Sequence, residues 1–426
     1  MINSPPTMRA VPPFSANRFL HILLAAYALV WISAAIVPRD RPTWALENLS
    51  VVIFIGILAL TYRRFTFSNP SYLLIAIFLS LHAVGAHSGY AETPIGYWLT
   101  ETLGLHRNPY DRVIHFSFGL LLAYPMREVL VRAGEIRGWA ANWLPVSLVL
   151  TTSVCFEIIA AVVAEMISPG SGPAWLGAQG DEWDAQLDMA VALLGALAAM
   201  LITWWRERAA ASPRPAAINE KPFRERRLLQ TLCICYGIIW ICAAIQPLNP
   251  NDWLLENLLV FVSVPLLVLT YHRLSFSDAF YVLVFLFLIL HAAGAHFTYS
   301  EVPFGYWLKD TFHLRRNHFD RIVHFSFGLL LTYPVHEILV RVVRVRGYWA
   351  LFLAVAVIVS LNGFFEIIEA VVAWLVDPDL GAAYLGIQGD VWDAQKDMAL
   401  AVLGAALTVG LALLTRTSWS GHPSRR

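Results

Sequence analysis

The sequence predicts an all-α membrane protein, a helical bundle of about twelve transmembrane helices built as two tandem six-helix repeats in parallel orientation. Composition is the first reason. Of 426 residues, 58% are hydrophobic and only 14% are charged, whereas soluble chains carry about 25% charged residues; mean hydropathy is +0.59. The second is that apolar runs of about 20 residues, long enough to cross a bilayer core, recur along the chain. The third is repetition: His82-Ala-Val-Gly-Ala-His87 returns as His291-Ala-Ala-Gly-Ala-His296, and 291 minus 82 gives a spacing of 209 residues. At the same offset Asp111-Arg112-Val-Ile-His115 becomes Asp320-Arg321-Ile-Val-His324, and Gln179-Gly-Asp181 becomes Gln388-Gly-Asp390.

The elements follow in order. Residues 1–17 form a polar tail, 18–205 the first repeat, 206–227 an exposed linker rich in charge, alanine and proline, 228–416 the second repeat and 417–426 a short tail. The run at 19–37 is longer than a signal-peptide core and reads as a retained first helix. In the second repeat the spans fall at 229–246, 257–271, 279–296, 321–340, 348–376 and 398–414, with first-repeat counterparts 209 residues earlier. Six spans per repeat is an even number, so both repeats enter and leave on one side. Cys155, Cys233, Cys235 and Cys242 lie within apolar runs and read as small packing residues. Pro125 and Pro334 are expected to kink span four, and Trp98, Trp183, Trp307 and Trp392 to sit in the interfacial belt.

Short-loop arginines set the orientation. Arg63, Arg64, Arg132, Arg137, Arg206, Arg208, Arg344, Arg346 and Arg416 mark one face as cytoplasmic, with both termini on it. The loop holding Asp181, Glu182, Asp184 and Asp188 marks the other as external, against which Arg39, Arg41, Arg107, Arg315 and Arg316 dissent. Thirty basic residues balance thirty acidic ones and no arginine-rich tract interleaves with aromatics, so no nucleic-acid partner is expected. The expected partner is the lipid bilayer.

The shared polar motifs cluster toward the external side. Asp320 and His324 open span four one turn apart on one helix face; Glu366 and Glu369 sit at i, i+3 in span five; Asp390, Asp393 and Asp397 form one stripe if span six begins that early. His291 lies about 8 Å below the outer end of span three. A charged residue at the bilayer centre costs about 2.5–3.5 kcal/mol on insertion scales, so such groups face a cavity or a partner. Mixed imidazole and carboxylate donors suit zinc or another divalent metal. The candidate metal ligands are His291, His324, Asp393 and Asp397; the candidate catalytic carboxylates are Glu366, Glu369 and Asp390; Arg316 and Arg321 are candidates to grip a substrate phosphate. Glu47-Asn48 and Glu256-Asn257 stand near enough in the pattern to support such a site. Glu337 and Arg341 read as an ordinary i, i+4 ion pair, and Asp390 and Asp393 also fit as helix caps. First-repeat counterparts are His82, His115, Glu157, Asp184 and Asp188, but Ala160 replaces Glu369 and Leu187 replaces Lys396, so the second repeat is the expected active copy.

The motifs His-Ala-x-Gly-Ala-His, Arg-Asn-x-x-Asp-Arg-x-x-His-Phe-x-Phe-Gly, Phe-Glu-Ile-Ile-Glu and Gln-Gly-Asp-x-Trp-Asp-x-Gln-Lys-Asp-Met make the chain resemble the YjdF-like family of bacterial inner-membrane proteins. That family takes the form of a single six-helix unit, so the resemblance implies a tandem fusion in the inner membrane and assigns no chemistry. Asp320, His324, Phe325, Glu366 and Asp397 carry a weaker likeness to VanZ-like membrane proteins, which implies a role in the cell envelope. Two functions are expected from these residues: a metal-dependent intramembrane hydrolase or transferase acting on a lipid or lipid-linked envelope substrate, or a proton-coupled transporter built from two parallel halves. A non-catalytic accessory role in the envelope is the third.

Overall fold

The computed structural model describes residues 13–167, 179, 181, 183–207, 222–376 and 388–414, and the regular structure among them is helical. Most of the expected linker, both chain ends and Glu182 lie outside the described residues. The first repeat comprises α1 (Arg18–Ala35), α2 (Arg41–Thr61), α3 (Asn69–Ser88), α4 (Pro94–Leu103), α5 (Tyr110–Arg132), α6 (Ala140–Ile167) and α7 (Asp184–Glu207). The second comprises α8 (Arg227–Ala244), α9 (Pro250–Glu256), α10 (Leu258–Thr270), α11 (Asp278–Phe297), α12 (Pro303–Phe312), α13 (Phe319–Ile338), α14 (Tyr348–Leu375) and α15 (Asp393–Leu414). Eleven of these are long and apolar enough to cross a membrane, and α9 with α10 makes a twelfth as one bent span.

Local chemistry starts these helices where the chain turns. Asp40 accepts from the backbone N–H of Thr43 at 2.9 Å with Pro42 in the first turn of α2, and Ser277 accepts from Phe280 N at 3.1 Å to cap α11. Each α3 and α11 start is also tied to the fourth span of its own repeat by a glutamate, half-buried in the first repeat and buried in the second. Glu128 accepts from Ser68 N at 2.9 Å, and Glu337 from Ser277 N at 2.8 Å while pairing with Arg341 at 2.6 Å.

Three features depart from the expected element boundaries. Span two of the second repeat begins at Pro250 rather than residue 257 and breaks at Asn257 with a 41° bend, whereas α2 runs unbroken. The loops after α3 and α11 contain the short helices α4 and α12, which carry Trp98 and Trp307 on exposed faces. Helix α15 begins at Asp393, so Asp390 precedes it and does not share its stripe. Pro125 and Pro334 lie within continuous helices, and α13 runs on through a π-helical turn at Leu339–Val343. All four cysteines are free.

Two close contacts fix the arrangement. Helices α13 and α15 approach backbone to backbone at Gly328 and Gly404: a Cβ at Gly328 would stand 2.0 Å from the Ala401 carbonyl oxygen, and one at Gly404 would stand 2.2 Å from that of Phe325. Gly119 and Gly195 make the same crossing between α5 and α7. The two repeats meet along α6 and α14 through Leu150, Val154, Met189, Val359, Ile367 and Met398. Thr151 Oγ1 donates across this seam to the Ala356 carbonyl at 2.6 Å, and Trp392 Nε1 donates to Glu165 at 3.2 Å.

Because the atoms opposite Gly328 are backbone and cannot swing aside, Gly328→Ala should destabilise the protein by about 1–3 kcal/mol through overpacking. Thermal unfolding in detergent should show a lowered midpoint, while Gly237→Ala, which meets nothing within 4 Å, should not lower it. Equal midpoints for the two variants would refute the close crossing.

Candidate functional site

The crossing of α13 and α15 brings acidic groups from separate helices to one level. Asp320 stands in the first turn of α13, His324 one turn deeper, and Asp397 one turn into α15. These three are buried, and one donor atom from each lies within 4.8 Å of the other two. The Asp320 Oδ1 to His324 Nε2 separation is 3.5 Å. On the far side of the ring, His324 Nδ1 faces the Asn362 side-chain amide at 2.7 Å and Glu366 Oε1 at 3.8 Å. Glu369, one turn beyond, lies within electrostatic reach of Glu366. Glu256, at the C-terminal end of α9, is buried and within electrostatic reach of Asp320 and His324.

Five carboxyl groups, those of Glu256, Asp320, Glu366, Glu369 and Asp397, thus lie within electrostatic reach of one another, with the His324 imidazole among them. One oxygen each of Glu256, Glu366 and Asp397, and the Asn362 carbonyl oxygen, are buried without a hydrogen-bond partner. Burying an unpaired carboxylate is costly enough that a counter-charge must be supplied. The nearby cations pair mainly outside this group, although Arg321 also acts on Asp397. Arg316 binds Asp393, Arg321 reaches Asp390 at 2.5 Å and Asp393 at 3.3 Å, and Lys396 sits 2.7 Å from both oxygens of Asp390. Among the described residues no arginine or lysine pairs with Glu256, Glu366 or Glu369, so protons or a cation remain to balance them.

The loop entering α13 is pinned to the segment before α15. Gln388 accepts from Asn317 N and donates to Asn317 O, both at 3.0 Å, and the Asn317 side chain accepts from Phe319 N at 3.0 Å and donates to the Val302 carbonyl at 3.0 Å. Gly305 is required beneath it, since a Cβ there would stand 1.6 Å from Asn317 Oδ1. Just outside the spans, burial favours a raised pKa at Asp390, but the hydrogen bonds from Lys396, the Trp392 backbone and Arg321 outweigh it and hold the carboxyl below its ordinary value. His318, ahead of α13, is held below the ordinary histidine value by burial and by Arg321 and Arg316.

The structure assembles some of the expected residues and separates others. Asp320, His324, Glu366, Glu369 and Asp397 are brought together. His291 is not among them, which corrects its reading as a ligand: its Nδ1 is bonded to the Tyr299 hydroxyl at 2.6 Å and its Nε2 to the Glu256 carbonyl at 3.2 Å. His82 repeats this with Tyr90 at 2.6 Å and the Glu47 carbonyl at 3.3 Å. His296 binds the Ala243 carbonyl at 3.0 Å, so the His-Ala-x-Gly-Ala-His motif is a packing device. Asp393 and Asp390 are corrected likewise, because their oxygens are taken by Arg316, Arg321 and Lys396. By the same pairs Arg316 and Arg321 bind carboxylates rather than standing open to a phosphate. Asn362 was missed; its only sequence signal is a lone amide in an apolar span, replaced by Ser153 in the first repeat.

The first repeat places Asp111, His115 and Asp188 together in the same way, with the first two only half-buried, and Glu157 lies within electrostatic reach of Asp111. Here the charge is handled differently. Arg112 Nε stands 2.9 Å from Asp188 Oδ1, while the other end of the guanidinium reaches Asp181 at 2.8 Å and Asp184 at 3.0 Å. With Leu187 in place of Lys396, Arg112 covers three carboxylates, those of Asp181, Asp184 and Asp188.

Twelve apolar spans in two repeats, each with an embedded acidic group, define a multi-pass membrane protein. The family described as "Predicted membrane protein (DUF2238)" matches residues 19–209 and again 228–418, and the chain belongs to that family. It is 38% identical over 174 residues to the inner membrane protein YjdF of Escherichia coli (strain K12), covering 41% of this chain and 83% of that protein. No solved structure matches. These findings add nothing for the VanZ-like likeness.

Gln388 uses both ends of its amide, so Gln388→Glu should destabilise as Gln388→Ala does, each by about 1–3 kcal/mol. Thermal unfolding and proteolytic cleavage of the loop before α15 check this. Wild-type behaviour of the glutamate variant would show that the clamp does not hold the loop.

Proposed function

We propose that the second repeat carries a divalent-cation site and that the protein is a metal-dependent intramembrane enzyme acting on a lipid or lipid-linked substrate. The observation that carries this reading is the convergence of Asp320, His324 and Asp397 within 4.8 Å, beside further carboxylates whose counter-charge no neighbouring arginine or lysine supplies. Three ligands of one ion at bonds of about 2.0–2.2 Å stand about 3.3–3.8 Å from one another; the Asp320–His324 separation of 3.5 Å already meets this, and the group as a whole must contract from within 4.8 Å.

In this reading Asp320, His324 Nε2 and Asp397 hold the ion. Turning the Asn362 amide end for end lets its carbonyl oxygen, now unpartnered, accept from His324 Nδ1–H and fix the ring for binding. The bound cation would supply Lewis acidity toward a phosphoryl or carbonyl oxygen. Glu366, 3.8 Å from the imidazole and one turn from Glu369, is placed to take up a proton and pass it on. The inner membrane is the proposed location, by likeness to YjdF, with the polar group toward the outer face and the termini in the cytoplasm as the loop arginines suggest.

The Glu366–Glu369 pair would equally serve a proton-coupled transporter. Against that stands the placement of the polar groups, one within each repeat, while the seam between repeats is lined by methionine and aliphatic side chains.

Chelator-free purification should yield about one divalent metal ion per chain by elemental analysis. Asp320→Asn with Asp397→Asn should abolish it, and Asp111→Asn with Asp188→Asn should leave it. Protein that holds no metal, even after incubation with zinc or manganese, or metal retained in the Asp320/Asp397 variant, would overturn the reading.

A further inference from the structure

The first repeat keeps the acid, imidazole and acid at nearly the spacing of a ligand set. His115 Nε2 stands 3.7 Å from Asp111 Oδ1 and 4.0 Å from Asp188 Oδ2, and the three groups offer donor atoms all within 4.8 Å of one another. Ligands of one ion at bonds of about 2.0–2.2 Å stand about 3.3–3.8 Å apart, so the first spacing already fits and the second is too long by only a few tenths of an ångström. Ser153, at the position where the second repeat has Asn362 on the imidazole, is buried, and its hydroxyl has no hydrogen-bond partner. A hydroxyl is an acceptor of the kind that a metal-bound imidazole needs on its other nitrogen.

What meets these acids in the first repeat is the chain's own cation. Arg112 Nε stands 2.9 Å from Asp188 Oδ1, yet neither atom forms a hydrogen bond: the two are close without being aligned, so charge alone holds them. The far nitrogen of the same guanidinium makes true hydrogen bonds, to Asp181 at 2.8 Å and Asp184 at 3.0 Å. The side chain can therefore release Asp188 and stay anchored. Arg321 shows that posture in the second repeat, where its contacts are with Asp390 and Asp393 and it acts on Asp397 from beyond ion-pair distance. Once Nε withdraws, Asp188 faces His115 and Asp111 with no arginine or lysine in contact, and buried Glu157, within electrostatic reach of Asp111 and Asp184, adds to the negative charge. Such a group calls for a replacement cation.

We infer that the first repeat holds a latent divalent-cation site, with Asp111, His115 Nε2 and Asp188 as its ligands and Arg112 as a tethered counter-ion that keeps it closed. Opening it moves Nε off Asp188 and leaves the contacts to Asp181 and Asp184 in place, so the incoming ion restores the charge that the arginine takes away. In its ligand class this site rests on the reading given for the second repeat; in its geometry it stands on the first repeat alone.

The full chain carrying Asp320→Asn and Asp397→Asn, which empty the second repeat, lets the first be read by itself after incubation with zinc or manganese. With Arg112 present it should hold little metal. Adding Arg112→Gln should give about one ion per chain, bound at least about tenfold more tightly than in the parent, and adding Asp188→Asn as well should remove it. Arg112→Gln leaves buried acids unpaired, so its thermal midpoint should fall without metal and recover with it. Arg112→Lys, which keeps a charge for Asp181 and Asp184 but has no second donor for Asp188, should show the same gain with a smaller loss of stability. Arginine variants that bind no more metal than the parent, metal that survives Asp188→Asn, or failure of both variants to fold even with metal present would each overturn the proposal. Metal content with the second repeat intact separates the two readings. One ion both with Arg112 and with Arg112→Gln removes the latent site alone, whereas none with Arg112 and one with Arg112→Gln removes the second-repeat site alone.

Discussion

The backbone contact between α13 and α15 at Gly328 and Gly404 is the constraint on which the second repeat depends. Helices separated by ordinary side chains lie about 8–10 Å apart. Removing both Cβ atoms at the crossing lets the chains touch, and a turn or two away this narrows the gap across which Asp320 and His324 face Asp397. The same closeness forces the surrounding polar chemistry. Carboxylates drawn together in a space with little water repel one another, so each neighbouring cation, amide and hydroxyl has a defined partner, and the oxygens left over are confined to a few atoms.

The two repeats show how small substitutions redistribute charge on one scaffold. Both carry the acid–imidazole–acid arrangement and the glycine crossing. In the second, Lys396 joins Arg321 on Asp390 and Arg316 takes Asp393, which keeps Arg321 at the surface network and leaves Asp397 to the buried group. In the first, the lysine is a leucine and Arg112 extends inward to Asp188. A salt bridge then occupies the position where the second repeat has an open acceptor. Glu369 and Asn362, replaced by Ala160 and Ser153, add a further carboxyl group and an amide on the imidazole to the second repeat alone.

Much of this was legible in the sequence, and the failures have physical causes. The spans and their duplication follow from hydropathy and a constant offset, because the bilayer imposes length and apolarity on every crossing segment. The Asp320 and His324 pair follows from helical spacing, and Glu366 from the cost of placing a carboxylate in an apolar span. His291 was misjudged because a motif that recurs in both repeats looks chemical, yet locking a helix end against Tyr299 and a backbone carbonyl requires the same residues at the same spacing. Asp390 and Asp393 were misjudged because spacing says where a side chain points and nothing about which of several nearby cations it meets. The break at Asn257 escaped notice since the corresponding Asn48 makes the same tryptophan hydrogen bond inside an unbroken helix.

Residues 154 and 363 occupy the same place in the two repeats, 363 minus 154 being 209, and they touch: a Cβ on Gly363 would stand 2.3 Å from Val154 Cγ2, with Met189 and Met398, again a matched pair, close by. Equivalent positions that meet themselves lie on a pseudo-dyad. A symmetric assembly of two identical units must put the same residue on both sides of such an axis, giving either two valines in collision or two glycines with a gap between them. Joining the units in one polypeptide lifts that restriction and admits a knob opposite a hole. The halves have thereby become a matched, non-interchangeable couple, each free to specialise without disturbing its twin.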